Sequence, residues 1–167
     1  MKSESFESER LLFREIRASD AEVIVRWRSN PEIYRYYISP NPVTLRSHLE
    51  WYEGLYLNDL TRIDYIVTEK ESMTPIGVTG ISRLIDKSCE IGYTIGEASF
   101  QGKGYGTESI LAVRNEYIKK GIEVFYAIIH VNNIASIKAA EKSGFQYFSN
   151  IEMDFLQYRY QTEGVVT

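Results

Sequence analysis

At 167 residues, 44% hydrophobic and 25% charged, the chain is sized for one domain, residues 1–167, with a substantial core. A formal net charge of −4 excludes the basic surface that non-specific binding to nucleic acid or anionic membrane requires, and no apolar run is long enough to cross a bilayer. The single cysteine, Cys89, excludes an internal disulfide and a cysteine-rich metal cage, and the polar start "MKSESFESER" lacks a secretion-signal pattern, so a cytoplasmic chain is expected.

In chain order, "RLLFREIR" (Arg10 to Arg17) alternates apolar and charged residues and predicts a first strand. Ser19 and Glu22 have the spacing of a capping box, opening a helix that carries Ala21, Ile24 and Trp27 and closes before Asn30-Pro31. The loop that follows holds the cluster "YRYYISP" (Tyr34 to Pro40). In a chain with 13 tyrosines this cluster reads either as a pocket wall or as packing beneath a loop. Thr44 starts a second helix with the apolar stripe Leu45, Leu49, Tyr52 and Tyr56.

Three strands follow: "IDYIVTE" from Ile63, "PIGVTGISRLI" from Pro75 and "CEIGYTIG" from Cys89. The short "DKS" turn at Asp86 favours antiparallel pairing of the last two. A glycine-rich loop leads into a helix through Ile110, Val113 and Tyr117, ended by Lys119-Lys120-Gly121. "VFYAIIHV" is apolar on both faces and predicts a central strand. A helix from Asn133 to Ser143 stops at Gly144, and two last strands start at Phe145 and Phe155. This order predicts an α/β fold with a mixed, mostly antiparallel sheet of about seven strands and helices on both faces.

The chemistry gathers in "FQGKGYGTES" (Phe100 to Ser109). Backbone amides at a helix N-terminus, with glycines that let a ligand approach the main chain, suit an anion such as a phosphate. The pattern is G-x-G-x-G, neither the G-x-G-x-x-G of dinucleotide folds nor G-x-x-x-x-G-K-[ST], and it follows the fourth strand rather than the first. In that fourth strand one face is Cys89, Ile91, Tyr93 and Ile95, and the other is Glu90, Gly92, Thr94 and Gly96. A glycine-lined strand face lets another backbone or a ligand come close. A plain strand–turn–helix connection accounts for one or two of these glycines, whereas a ligand site accounts for them all.

The run Gln101-x-x-Gly104-x-Gly106 resembles the Q/R-x-x-G-x-G/A pyrophosphate loop of the GNAT acetyltransferases, and "NNIASIKAAEKSGF" (Asn132 to Phe145) is similar to that superfamily's fourth-helix signature. "GKGYGTE" resembles most the branch of the N-terminal acetylases of ribosomal proteins. The resemblance implies a splayed central cleft and acetyl-coenzyme A as co-substrate, with no metal. Gln101, Gly102, Lys103, Gly104, Tyr105, Gly106 and Thr107 would hold the pyrophosphate. Tyr93, Thr94 and Ile95 would pair with the pantetheine arm, and Asn133 and Ser136 would face it from the other side. Acetyl-coenzyme A and an amine acceptor are the expected partners, without nucleic acid or membrane, and a homodimer is left open.

Transfer to an amine needs both substrates held together and the amine unprotonated. Glu90, at the head of the glycine-faced strand, is the first candidate for general base, acting through water, and His130 at the end of the central strand is the second. The superfamily often draws its general acid from a fourth-helix tyrosine. The matching position here is Ala140, which leaves Ser136, one turn earlier, or an unassisted thiolate.

For the acceptor, "WRSNPEIYRYY" followed by "SHLEWY" resembles the N-acetyltransferases of nucleotide-linked amino sugars in pseudaminic acid synthesis. That resemblance implies substrate contacts from Arg28, His48, Ser82, Arg83 and Tyr93. On the residues alone, His48 and Trp27 read equally as core. N-terminal acetylation of a protein, another small amine such as an aminoglycoside or polyamine, and a non-catalytic acyl-coenzyme A sensor are the alternatives.

Overall fold

Leu11, Phe13 and their alternating neighbours pair with the strand at Ile63, because one face of each strand is apolar and must be covered. The computed structural model describes residues 4–164, so Met1–Ser3 of the polar N-terminal stretch lie outside the described residues. Its elements are β1 (Phe6–Glu7), β2 (Leu11–Glu15), α1 (Ala21–Arg28), α2 (Pro31–Tyr34), α3 (Leu45–Gly54), β3 (Ile63–Glu69), β4 (Thr74–Ile85) and β5 (Ser88–Ile95). These are followed by α4 (Tyr105–Lys119), β6 (Val124–His130), α5 (Ile134–Lys142), β7 (Gln146–Glu152) and β8 (Phe155–Gln161).

The strands form one eight-stranded sheet in the order β1-β2-β3-β4-β5-β6-β8-β7. All neighbours are antiparallel except β5 and β6, which run parallel and pair only over Ser88–Glu90 with Val124–Tyr126. Beyond Glu90 the two strands diverge, so Ile91–Ile95 has no ladder partner on its β6 side. That divergence is the splayed cleft. The strand beyond the expected seven is β1, whose two residues are too few to show any periodicity; the Phe6 ring stacks on Phe13 at 4.7 Å.

Helices cover both faces. On one, Val113 and Tyr117 of α4 and Ala139 and Ala140 of α5 pack on Tyr65, Val67, Ile91 and Phe125. On the other, Ile24 and Trp27 of α1, Ile33 of α2 and Tyr56 pack on Ile66. Tyr65 and Ile66 are adjacent in sequence and buried in opposite layers, as the two-residue period of a strand requires.

Three local expectations change. The α1 cap is not Ser19 with Glu22: residues 18–20 form a turn of 3-10 helix, and Asp20 accepts from the Arg17 N–H at 2.7 Å. Asp20 prevails because its carboxylate also takes both Arg14 guanidinium nitrogens, at 2.8 and 2.7 Å. On α3, Leu45 is 41% exposed and the fully buried residue is His48, since the helix turns its His48–Trp51–Tyr52 side inward. The polar loop after α1 contains the extra short helix α2, capped by Asn30, whose side chain accepts from Glu32 N–H at 3.0 Å.

Candidate active site

A cleft of about 550 Å³ opens where β5 leaves β6. One wall is the stretch Ile91–Ile95, paired with β4 but not with β6, another is the loop and first turn of α4, and a third is Asn133 with Ser136 and Ala140 of α5. Gly102 and Gly104 have φ of +71° and +82°, which turns the chain so that α4 starts with Gly104 as its cap and no side chain on its first amides. The residues of that first turn border the cleft, and uncapped amides at a helix start suit an anion. At Gly106 a Cβ would come within 2.6 Å of the Tyr93 ring, so only glycine lets α4 approach β5 this closely. Gly92 has nothing within 4 Å and leaves the strand open to a ligand, whereas Gly96 makes room for the Trp27 ring.

The expected donor-site residues all border this cleft except Lys103, which reaches over the Phe100 ring at 5.7 Å. Gln101 donates from Nε2 to the Ile95 carbonyl at 2.9 Å, tying loop to strand. Asn133 caps α5 by accepting from the Ser136 N–H at 3.3 Å. The Ser136 hydroxyl donates to the Tyr93 hydroxyl at 3.2 Å.

A second cavity of about 310 Å³ lies under α1 and α3, and borders the same strand: Tyr37, Ile91, Gly92, Tyr93 and Thr94 line both. Its walls include Arg28, His48, Arg62, Asp64, Ser82 and Glu90. Two cavities meeting on one strand is the arrangement that brings a donor to an acceptor. Tyr37 closes over the junction, its hydroxyl hydrogen-bonded to Thr94 Oγ1 at 2.7 Å, and Tyr36 lies on His130 with ring centroids 5.5 Å apart. The tyrosine cluster is thus a cavity wall at both Tyr36 and Tyr37.

The charges in the second cavity are mostly paired. Arg62 holds Asp64 at 2.8 Å, and Arg83 holds Glu90 at 3.0 Å from outside, since Arg83 itself is not among the lining residues. Burial pushes both carboxyls up, with Arg62 pulling Asp64 back, and Arg83 and Arg62 pulling Glu90 back. Arg28 makes no hydrogen bond or ion pair among the described residues; its guanidinium lies 5.8 Å from the Tyr37 ring. His48 is 2% exposed and neither ring nitrogen has a hydrogen-bond partner. Burial and the Arg28 charge keep its pKa below the usual histidine value.

Glu90 and His130 are not brought together. Glu90 pairs in register with Tyr126, and His130 lies four residues farther along β6, about 13 Å at strand rise. His130 borders the donor cleft, takes the Asn132 N–H on Nδ1 at 3.1 Å and packs edge-on against Phe155.

Sequence reading missed Arg62 and Asp64 as cavity residues, and the clamp behind the loop. In that clamp Arg10 donates to Glu108 at 2.7 Å and to the Lys103 carbonyl at 3.0 Å while lying over Tyr105 at 4.1 Å. None of these carries a local motif; Arg10 was legible only as a charged position in an alternating strand. Among the described residues, no group of three His, Cys, Asp or Glu side chains could hold a metal ion, and no helix is long and apolar enough to cross a membrane.

The splayed sheet, the glycine loop capping α4 and the paired cavities define an acetyltransferase. Residues 10–146 match the family model "Acetyltransferase (GNAT) domain", and the chain belongs to that family as an acetyl-coenzyme A-dependent N-acetyltransferase. It is 34% identical over 143 residues to an uncharacterized protein of Methanocaldococcus jannaschii, a match that covers 84% of this chain and only 29% of that protein's length. It is 30% identical over 161 residues to the uncharacterized N-acetyltransferase YoaA of Bacillus subtilis, covering 93% of this chain and 88% of the relative. The structure of RimL, a ribosomal L7/L12 α-N-protein acetyltransferase in complex with coenzyme A, superposes with a TM-score of 0.80 at 22% identity, covering 97% and 100% of the two chains, and shares the fold.

Proposed function

We propose that the enzyme acetylates the primary amine of a molecule that also carries an anionic group, a nucleotide-linked amino sugar being the chemistry that fits best. The observation that carries this reading is the unpaired Arg28 guanidinium beside the unpartnered, buried His48 on the acceptor cavity wall. Arg62 is matched to Asp64, and Glu90 is matched to Arg83 from outside the cavity, which leaves Arg28 as the lining cation without an ion pair. Such a site favours a phosphate or carboxylate and disfavours polycations such as polyamines and aminoglycosides. A guanidinium suits a diphosphate, and His48, kept neutral, can donate from one nitrogen and accept on the other.

The amine then meets the thioester over Gly92, where the cavities join. Glu90, beside that junction, takes the amine proton through water. Burial raises the Glu90 carboxyl, which makes it a stronger base, while Arg83 and Arg62 pull it back. The loop amides from Gln101 to Thr107 hold the pyrophosphate, and the free edge of Ile91–Ile95 aligns the pantetheine arm.

Thiol release from acetyl-coenzyme A, measured against a UDP-linked amino sugar, an N-terminal peptide, spermidine and kanamycin, tests the reading. The amino sugar is expected to be turned over fastest. Arg28→Ala should raise its KM at least about tenfold while leaving the KM for acetyl-coenzyme A unchanged. Fastest turnover of the peptide would replace this reading with N-terminal protein acetylation. Tight coenzyme A binding without turnover of any amine would replace it with a sensor.

A further inference from the structure

We infer that the Tyr93 hydroxyl, with Ser136 behind it, gives up the proton that the departing coenzyme A sulfur takes, an inference that rests on the acetyl-transfer reading. Five residues border both cavities, and of these only Tyr37, Tyr93 and Thr94 carry hydroxyls. Tyr37 and Thr94 hydrogen-bond each other at 2.7 Å, and Tyr37 packs with the Ile66 core on the α1 side of the sheet, whereas Tyr93 packs on the α4 side. Tyr93 accepts from Ser136 at 3.2 Å, so the Ser136 hydrogen is used and the phenol's own hydrogen is left to point elsewhere. The expectation for Ser136 therefore changes from donor to relay.

The phenol is held in place. Its ring packs against Gly106 so closely that a Cβ there would lie 2.6 and 2.7 Å from two ring carbons and 2.9 Å from the hydroxyl oxygen. No other acid is available from α5 at the expected position, because Ala140 is fully buried and carries no donor. Burial pushes the Tyr93 hydroxyl pKa up, with the Ser136 hydrogen bond pulling it back, so Tyr93 is protonated at neutral pH. A thiolate released into the same cleft is desolvated too and becomes more basic, which keeps the transfer matched.

The balance is simple. The amine nitrogen bonds to the acetyl carbon, the carbon–sulfur bond breaks with its electron pair on sulfur, and sulfur takes the hydrogen from the Tyr93 oxygen. The Ser136 hydrogen passes to Tyr93 and is replaced from solvent, and the surplus proton on nitrogen leaves by way of Glu90. The products are the N-acetyl amine and coenzyme A thiol.

Tyr93→Phe keeps the ring and removes the hydroxyl. With the best acceptor of the amine panel, or with water if no amine is faster, kcat should fall on the order of 100-fold. The Kd for coenzyme A, measured by calorimetry, should stay unchanged. Ser136→Ala should lose less than Tyr93→Phe. An unchanged kcat in Tyr93→Phe, a Kd that weakens as much as kcat falls, or a larger loss in Ser136→Ala would each overturn the inference. Absence of thiol release by the unsubstituted enzyme would overturn acetyl transfer as well, so the two failures are distinguishable.

Discussion

Glu90, the proposed base, shows how a single residue's chemistry depends on its setting. An exposed strand-end carboxylate would titrate near 4.3 and be a poor base. Here burial raises it, while the Arg83 guanidinium at 3.0 Å and Arg62 draw it back. Arg83 makes this contact from a β-bulge with φ of +50°, an uncommon conformation for a residue with a side chain. Removing Arg83 removes attraction for the ionised form, so the acidic limb of the kcat/KM–pH profile of Arg83→Ala should move to higher pH. Arg83→Lys should restore much of it, and an unmoved limb would mean that Glu90 is not the titrating base.

At the scale of elements, the cleft is bounded by a strand whose second half lacks a β6 partner and by a helix that starts without a side-chain cap. Both leave backbone groups free, and neither is accidental. The β5–β6 ladder ends at Glu90–Tyr126, and Gly104 caps α4 where its first turn borders the cleft. The Arg10–Glu108–Ser8 cluster clamps the loop from β2, with the Ser8 hydroxyl donating to Glu108 at 2.6 Å. Gly104→Val puts a β-branched residue at φ of +82°, a strain of about 1–3 kcal/mol, and turns the loop amides away from the cleft. Its circular dichroism should remain that of the native fold while the rise in Tm produced by coenzyme A disappears. An undiminished rise would remove the loop from the donor site.

Across the whole molecule, two cores share one sheet, and a buried carboxylate that joins helix to sheet contributes to the pH dependence of stability. Asp20 is 7% exposed and links β2 to the start of α1 through Arg14 and the Arg17 N–H. Burial pushes its carboxyl up, but the hydrogen bonds from Arg14 and Arg17 outweigh it and hold it below the ordinary aspartate value. A depressed folded pKa means that the contribution is present above the unfolded value and is lost as pH falls through the folded one. Asp20→Asn should therefore cost about 1–3 kcal/mol at pH 7, seen as a lower Tm. The gap from the unsubstituted protein should close as the melts are taken to about pH 2. A gap that persists there would mean that packing, not charge, is what the substitution removes.

How much could be read in advance follows from the same scales. The strands, most helix ends and the glycine loop were legible because periodicity and turn chemistry act over a few residues. Asn133 and Gly144, for example, bound α5 as expected. The Ser19 cap failed because the competing bond, from Asp20 to Arg14, depends on β2 lying alongside. His48 could be placed on the inner side of its helix only once Trp51 and the cavity were seen beside it.

By itself, then, the sequence determined the order of elements and the glycine-rich start of α4, since a helix start is built from neighbours in the chain. The tertiary structure alone decided the acceptor side. Arg28, His48, Arg62 and Glu90 come from four separate elements or connections, and which of their charges is left unpaired depends on distances that only the folded sheet creates. The same holds for Tyr93 and Ser136: 43 positions apart in the chain, they share a hydrogen bond because α5 folds back across the mouth of the cleft.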